Sequence, residues 1–371
     1  MTKTNLALQI SSSAGAVNDE ANNVVAMLTQ MTERQRMMQR MAMPFEDKLQ
    51  LTKRRIVDWY KHWDGEVFVG FSGGLDSTVL LHIARSIYPD MPAVFSDTGL
   101  EMPEIRRFVG TFENVTRVRP KKSFDKVIRE DGFALVSKKV SRQIRTLRAG
   151  PTGNGDTYRL YNEGITSDGH SAPTWKLATK WRHLISADIK TSEKCCDHLK
   201  KEPLSTYQKE TGKKPFSGMM AAEGGYRGSI PKCNAYDGKK PMSSPMLFWT
   251  EDDVWEYVRR FNVDICEVYY DRLVQDGETI MTAKDTQFDN FISSLSVDKE
   301  LDGIVVYDNG MVFVPAEKRT GCMFCMFGVH LEKGANRFQR MYYTHPRHWD
   351  TCINKLGLNK PLDLISVKYI P

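Results

Sequence analysis

The run Val67-Phe68-Val69-Gly70-Phe71-Ser72-Gly73-Gly74-Leu75-Asp76-Ser77-Thr78-Val79-Leu80-Leu81 decides how this chain folds. Residues 67–71 are β-rich, Ser72-Gly73-Gly74 is a tight turn, and residues 76–87 carry Val79, Leu80, Ile83 and Ile87 at helical spacing. The same punctuation recurs downstream. Ala93-Val94-Phe95-Ser96-Asp97 is a second strand-like run ending in Thr98-Gly99, residues 103–112 read as its helix, and residues 115–118 as a third strand. Strands alternating with helices at this spacing predict an α/β fold built on a doubly wound parallel sheet, with ligands at the carboxyl ends of the strands.

Outward from this unit the chain divides by composition. Residues 1–23 are Ser/Ala/Asn-rich and read as a flexible tail. Residues 24–62 read as N-terminal helices: Met27, Met31, Met37, Met38 and Met41 precede Pro44, and Leu49, Leu51, Ile56, Trp59 and Tyr60 follow it. The methionines suit a packing face better than a cofactor contact. Residues 63–260 form the main domain, interrupted at about 121–190 by an insertion with a basic helix near 137–148 and a Gly-rich loop. Regular structure resumes at residues 215–220, and a helix starts at Thr250 with Glu251, Asp252 and Asp253 in its first turn. Asn309-Gly310 marks a hairpin, and residues 261–371 are otherwise expected to be a mainly helical C-terminal region.

The 371 residues are 41% hydrophobic and 26% charged, enough apolar content for one large or two modest cores, which excludes wholesale disorder. No stretch approaches about 18 consecutive apolar residues, and the N-terminus lacks the basic-then-apolar order of a signal peptide, so no membrane association and a cytoplasmic location are expected. The net charge of +6 is unevenly placed. Residues 115–201 carry roughly 19 Lys/Arg against 9 Asp/Glu, about +10, leaving about −4 for the rest and suggesting a polyanionic partner.

Residues 72–77 lie where a strand delivers the chain to a helix N-terminus, so backbone N–H groups and the hydroxyls of Ser72 and Ser77 can converge on an oxyanion. Gly73 and Gly74 permit close approach, and no lysine follows as in a G-x-x-x-x-G-K-[ST] loop. The segment resembles the PP-loop of the adenine-nucleotide α-hydrolase-like superfamily, the ATP pyrophosphatases and sulfonucleotide reductases. That resemblance implies a Rossmann-like fold and an adenine nucleotide, ATP or phosphoadenosine phosphosulfate (PAPS), gripped by Ser72, Gly73, Gly74, Asp76 and Ser77. Asp76 would stand near Mg²⁺ or cap the helix. Asp97-Thr98-Gly99, with Glu101 and Pro103-Glu104 behind it, resembles the D-T-G-x-x-x-P-E segment of the PAPS reductase family, implying ligand contacts from Asp97 and Thr98.

Of seven cysteines, Cys195 and Cys196 are adjacent and Cys322 and Cys325 are spaced C-x-x-C. A C-x-x-C alone fits zinc, a redox dithiol or an iron–sulfur cluster. Neighbouring thiolates diverge, which suits separate corners of a [4Fe–4S] cubane better than one tetrahedral zinc; reduced structural cysteines are the remaining reading. Residues 195–204 are similar to the family's C-C-x-x-x-K-x-x-P-L signature, and cluster-bearing members add a distant C-x-x-C. Lys200, at the signature's lysine, would neutralise the cluster or reach a substrate phosphate. Cys233, Cys266 and Cys352 read as buried or inert thiols.

Residues 221–227 are similar to the family's G-x-R-x-x-E-S-x-x-R run and carry Glu223 and Arg227, while Met220 replaces its first arginine and Gly224 its serine. Residues 249–255 resemble its W-T-x-x-D-V-W helix start. Reductases of the family carry a nucleophilic cysteine in an E-C-G-L-H-type tail; residues 364–371 here hold none. The pattern resembles the PAPS-reductase-like sulfurtransferases of DNA or tRNA, in which ATP adenylates an acceptor oxygen and a sulfur nucleophile displaces AMP. It implies catalytic roles for Asp76, Ser77, Lys200 and Arg227, a sulfur-donor partner, and a nucleic-acid surface over residues 138–148 (Lys138, Arg142, Arg145, Arg148) and 175–182 (Trp175, Trp181). The alternatives are a sulfite-forming sulfonucleotide reductase using Cys352 or an external thiol, and a nucleotide-binding regulator without turnover.

Overall fold

A computed structural model describes residues 32–153, 155–238 and 240–371. The expected tail, Met27 and Met31 lie outside them. The described residues form two compact units, residues 32–65 with 215–262 and residues 66–214 with 263–371.

The larger unit opens on β1 (Val67–Gly70), followed by α1 (Leu75–Ile87), β2 (Ala93–Ser96), α2 (Pro103–Gly110) and β3 (Val115–Val118). The three strands pair in parallel in the order β3-β2-β1, Val69 against Ala93 and Val94 against Thr116. β1 and β2 are almost wholly buried, as strands of a covered parallel sheet must be. Their carboxyl ends share one edge, where both the Ser72 loop and Asp97 emerge. The chain is therefore an α/β protein with a parallel sheet.

The insertion comprises α3 (Phe124–Glu130), β4 (Leu135–Val136), α4 (Lys138–Ala149) and α5 (Asp156–Glu163). Ser137 caps α4 by accepting the Val140 N–H at 3.1 Å. β4 pairs in parallel with Met326–Phe327. Val127, Ile144, Leu147 and Leu184 of the insertion share one hydrophobic core with Phe324, Phe338, Cys352 and Leu362. Val136, at φ +59°, is a β-branched residue in left-handed backbone at the end of β4.

The C-terminal region, expected to be mainly helical, is helical chiefly from Arg337 onward, in Arg337–Thr344, Pro346–Asp350 and Asn359–Leu364. Ahead of these lies an antiparallel sheet in the order Val297–Leu301, Ile304–Tyr307, Val312–Val314, Arg272–Gln275, Glu278–Thr282. Asn309-Gly310 makes one of its hairpins, as the dipeptide suggests. Asp276-Gly277 and Asp302-Gly303 make two more, each pair at positive φ as a tight two-residue turn requires, whereas in Asn309-Gly310 only the glycine is at positive φ.

In the smaller unit, Glu33–Met41 is opened by a Thr32–Gln35 capping box, and Phe45–His62 follows Pro44 and buries Leu49, Ile56 and Trp59. Glu251–Phe261 is capped by the Thr250 hydroxyl. A buried Lys48–Asp253 ion pair at 2.7 Å and the Trp249 indole N–H donating to Thr52 at 2.8 Å tie these segments together. Phe216 pairs in parallel with Ser243, and Met242–Ser243 is antiparallel to Asn234–Ala235. Among the described residues no helix is long and apolar enough to cross a membrane.

Candidate functional site

The loop leaving β1 is shaped by its glycines. Gly73 has φ +71°, and a Cβ there would sit 2.7 Å from Val109 Cγ2 and 2.9 Å from Ile105 Cγ2, so α2 permits only glycine. The Ser72 N–H donates to Ser77 Oγ at 3.2 Å, the two serine hydroxyls lie 3.0 Å apart, and Ser77 donates to the Gly74 carbonyl at 2.9 Å. The Leu75 N–H, first in α1, donates to the Tyr269 hydroxyl at 2.9 Å, which lies 2.7 Å from the Thr320 hydroxyl. Tyr269 and Thr320 thus line the loop, and no motif announces either. Burial foremost pushes the Tyr269 phenol up to about 12, and the Asp76 carboxylate adds to it, so the hydroxyl keeps its proton at neutral pH. Asp76 is half-buried in the first turn of α1.

At the end of β2, Asp97 is buried and accepts the Gly99 N–H at 3.3 Å, with Arg106 at 3.3 Å and Arg119 at 3.7 Å balancing its charge. The Thr98 N–H and hydroxyl both donate to the Glu101 carboxylate, at 3.0 and 2.7 Å. The same hydroxyl lies 4.0 Å from Cys322 Sγ, and the Met323 N–H donates to the Leu100 carbonyl at 2.7 Å. The D-T-G turn is therefore stitched directly to the C-x-x-C segment.

Cys195, Cys196, Cys322 and Cys325 line one pocket together with Lys200 and apolar side chains that include Phe124, Leu199 and Met326. Residues Asp197–Lys201 form a single π-helical turn that runs into Glu202–Thr211, and the Ser96 hydroxyl at the end of β2 donates to the Leu199 carbonyl at 3.1 Å. Burial, and then the neighbouring thiols, push the Cys195 thiol up; burial likewise raises Cys322 to about 11 against the pull of Lys200. Burial alone would lower the Lys200 ammonium, but Cys322, Glu101, Cys196 and Cys325 outweigh it and hold it above its ordinary value. Among the described residues no three His, Cys, Asp or Glu side chains are grouped closely enough to hold one metal ion. Cys233, Cys266 and Cys352 are buried, and burial raises each of their thiols.

Two groups read from the sequence are placed otherwise engaged. Glu223 and Arg227 belong to the smaller unit and form an ion pair with each other, while Glu223 also accepts the Met220 N–H at 3.2 Å. On α4, Arg142 and Arg145 reach buried Glu193 at 3.2 and 2.8 Å, and Arg148 donates to the carbonyls of Ile185 and Leu184 at 2.8 and 2.9 Å. These arginines hold the insertion together. Outward stay the Arg142 side chain, 57% exposed despite its pair, and Trp175, 46% exposed, with the Lys139 ammonium 4.7 Å from its ring centroid. Its carbonyl is fixed by buried Gln143 at 2.6 Å. Lys138, Lys176 and Lys180 are exposed as well, the last 5.0 Å from the Trp181 ring.

Residues 66–144 and 159–325 match the profile of a family described as the phosphoadenosine phosphosulfate reductase domain. A phosphoadenosine 5′-phosphosulfate reductase of Salmonella schwarzengrund (strain CVM19633) is 21% identical over 233 residues, 62% of this chain and 77% of that protein. One of Cronobacter sakazakii (strain ATCC BAA-894) is 21% identical over 230 residues, 62% and 75%. A crystal structure of phosphoadenylyl-sulfate (PAPS) reductase from Candida auris, a phosphate complex, covers 71% of this chain and 95% of its own at 13% identity and a TM-score of 0.34.

Proposed function

The chain belongs to the phosphoadenosine phosphosulfate reductase domain family, and from that premise we propose that it is an ATP pyrophosphatase that adenylates a nucleic-acid acceptor for sulfur transfer. The observation that carries the reading is the division among the cysteines. Four line one pocket beside Lys200, whereas Cys352, the cysteine nearest the C-terminus, is fully buried and its thiol is pushed up by burial. A buried neutral thiol is a poor nucleophile toward a sulfonucleotide.

In this reading the acceptor oxygen attacks the α-phosphorus of ATP, the α–β bond breaks and pyrophosphate leaves. A sulfur nucleophile then attacks the acceptor carbon, and AMP departs with the oxygen. Ser72, Gly73, Gly74 and Ser77 hold the phosphates, and Asp76 would hold Mg²⁺, whose charge would offset that of the phosphates. Lys200 contributes a fixed positive charge, and Asp97 and Thr98 set the edge that separates the nucleotide from the thiols.

The donor set suits a [4Fe–4S] cluster, because four thiols in an apolar pocket oppose one another's ionisation and cationic iron relieves that opposition. Cys195, Cys196, Cys322 and Cys325 would hold it. When bound, it would supply redox capacity, and Lys200 would offset the net negative charge of the thiolate-ligated cluster; with four protein thiolates committed, the transferred sulfur comes from a donor protein or free sulfide. The acceptor docks as single-stranded nucleic acid across Trp175, Lys139, Lys176 and Lys180, where an exposed ring and exposed lysines offer stacking and phosphate contacts.

Anaerobically purified protein incubated with labelled ATP, acceptor and free sulfide should yield AMP and pyrophosphate. Sulfite release from labelled PAPS would overturn the reading in favour of a reductase, and nucleotide binding without products would overturn it in favour of a regulator.

A further inference from the structure

The anion cradle at the start of α1 is closed on itself. Ser72 and Ser77 satisfy each other, and the Leu75 N–H is taken by the Tyr269 hydroxyl. Ser72 is exposed in the loop, and Ser77, in the first turn of α1, needs only to rotate its hydroxyl. Tyr269 is held otherwise: it sits in the short turn Glu267–Tyr269, and its side chain is buried, so the fold rather than the loop sets its hydroxyl. Thr320, 2.7 Å away, fixes that hydroxyl from a second segment. The fit is close, since a Cβ on Gly74 would meet Thr320 Oγ1 at 3.0 Å and the Tyr269 hydroxyl at 3.3 Å. A phosphate oxygen cannot reach the Leu75 N–H while this pair stays in place. The N-terminus of a 13-residue helix nonetheless favours a charged oxygen over a neutral one.

We propose that Tyr269, held by Thr320, is an internal placeholder for a phosphate oxygen: it satisfies the Leu75 N–H in the free protein and gives it up when a nucleotide phosphate enters. The placeholder keeps the helix terminus from standing unsatisfied, and an entering phosphate oxygen must break its hydrogen bond to reach the Leu75 N–H. Tyr269 is thus a positioning residue. The inference rests on the loop being the nucleotide site.

Titration calorimetry on the full chain with ATP, inorganic pyrophosphate and adenosine tests it. In Tyr269→Phe the ring stays and only the hydroxyl goes, so the Kd for ATP and for pyrophosphate should fall about 3- to 10-fold, the worth of one hydrogen bond no longer broken on binding. Adenosine binding should not change, and the ligand-free variant should melt earlier. Thr320→Val should tighten ATP in the same direction by less, and Thr320→Ser should behave as wild type. A merely structural tyrosine would lose affinity as it lost stability. ATP binding that is unchanged or weaker in Tyr269→Phe, with wild type binding normally, overturns the placeholder. Wild-type protein that binds neither ATP nor pyrophosphate overturns the loop assignment itself and the placeholder with it.

Discussion

The anion loop and the thiol pocket open from the carboxyl ends of neighbouring strands, yet they are made in opposite ways. The loop is six consecutive residues, Ser72 to Ser77, that run from just after β1 into the first turn of α1, its shape set by one positive-φ glycine and the start of a helix. The pocket takes two cysteines from residues 195–196 and two from 322–325, and they meet because β4 pairs with Met326–Phe327 over a core shared by the insertion and the C-terminal helices. Local geometry dictates the first; cooperative packing of the larger unit dictates the second. Their electrostatics differ too. Inside the loop the polar groups satisfy one another, whereas the pocket gathers thiols whose ionisation is mutually opposed beside one ammonium. The two regions should therefore fail separately.

The largest effect should come from the pocket. Cys195→Ser with Cys322→Ser should take iron from about four per chain to background and make the C-terminal third more sensitive to limited proteolysis, while ATP binding stays within about twofold, below one hydrogen bond's worth. Loss of ATP binding alongside iron would show that loop and pocket are one cooperative site. The converse break is Asp76→Asn with Ser77→Ala, which should slow pyrophosphate release by at least about 100-fold with iron content and melting temperature nearly unchanged, because it removes charge and a donor rather than core volume.

A third change acts between the regions. α2 supplies the Ile105 and Val109 methyls that confine Gly73, and its Glu104 is hydrogen-bonded to His345 at 3.0 Å and paired with Arg272 at 3.3 Å, all three buried. Burial alone would raise the Glu104 carboxyl, but the His345 hydrogen bond and the Arg272 charge outweigh it and bring it down to about 2. A carboxyl lower when folded than when unfolded stabilises the protein fully above its ordinary value near 4.5, and that stabilisation is lost as pH falls from there toward 2. Glu104→Gln should cost about 3 kcal/mol in urea unfolding at pH 7 and flatten the acid limb over that window. An unchanged acid limb would remove Glu104 from the linkage. The smallest effect belongs to the surface: Trp175→Ala with Lys180→Glu should weaken single-stranded nucleic-acid binding a few-fold and lower its salt slope by about 0.7 to 0.9. Arg145→Ala should leave that slope alone, because Arg145 is occupied with Glu193.

What the sequence disclosed follows the same division. β1, α1, β2 and α2 are legible because each signal, a β-rich run, a Gly turn or a Pro at a helix start, is local. The antiparallel sheet over residues 272–314 was legible in principle through Asp276-Gly277 and Asp302-Gly303, but reading only Asn309-Gly310 left the flanking strands unclaimed. Tyr269 and Thr320 carry no local mark; distant chain segments bring them to Leu75. The arginines of α4 present the reverse case. Their helical spacing is plain, yet Glu193, some fifty residues on, turns a row of charges into an internal clasp. The two cysteine pairs are each visible, but their meeting depends on the β4 pairing, which two-residue strands do not advertise.

That pairing also imposes a schedule. A ribosome adding roughly 5 to 20 residues per second needs roughly 6 to 25 s to pass from Cys196 to Cys322. Throughout that interval the loop residues and the α2 methyls that shape them are already made, though Tyr269 and Thr320 are not, whereas β4 has no strand to pair with and Cys195 and Cys196 have no C-x-x-C to meet. The nascent chain thus carries the local part of the anion cradle and half a thiol pocket, with two adjacent cysteines open to oxidants or to capture by stray metal. Slowing synthesis between these positions should therefore lower the yield of intact pocket without lowering the yield of intact loop.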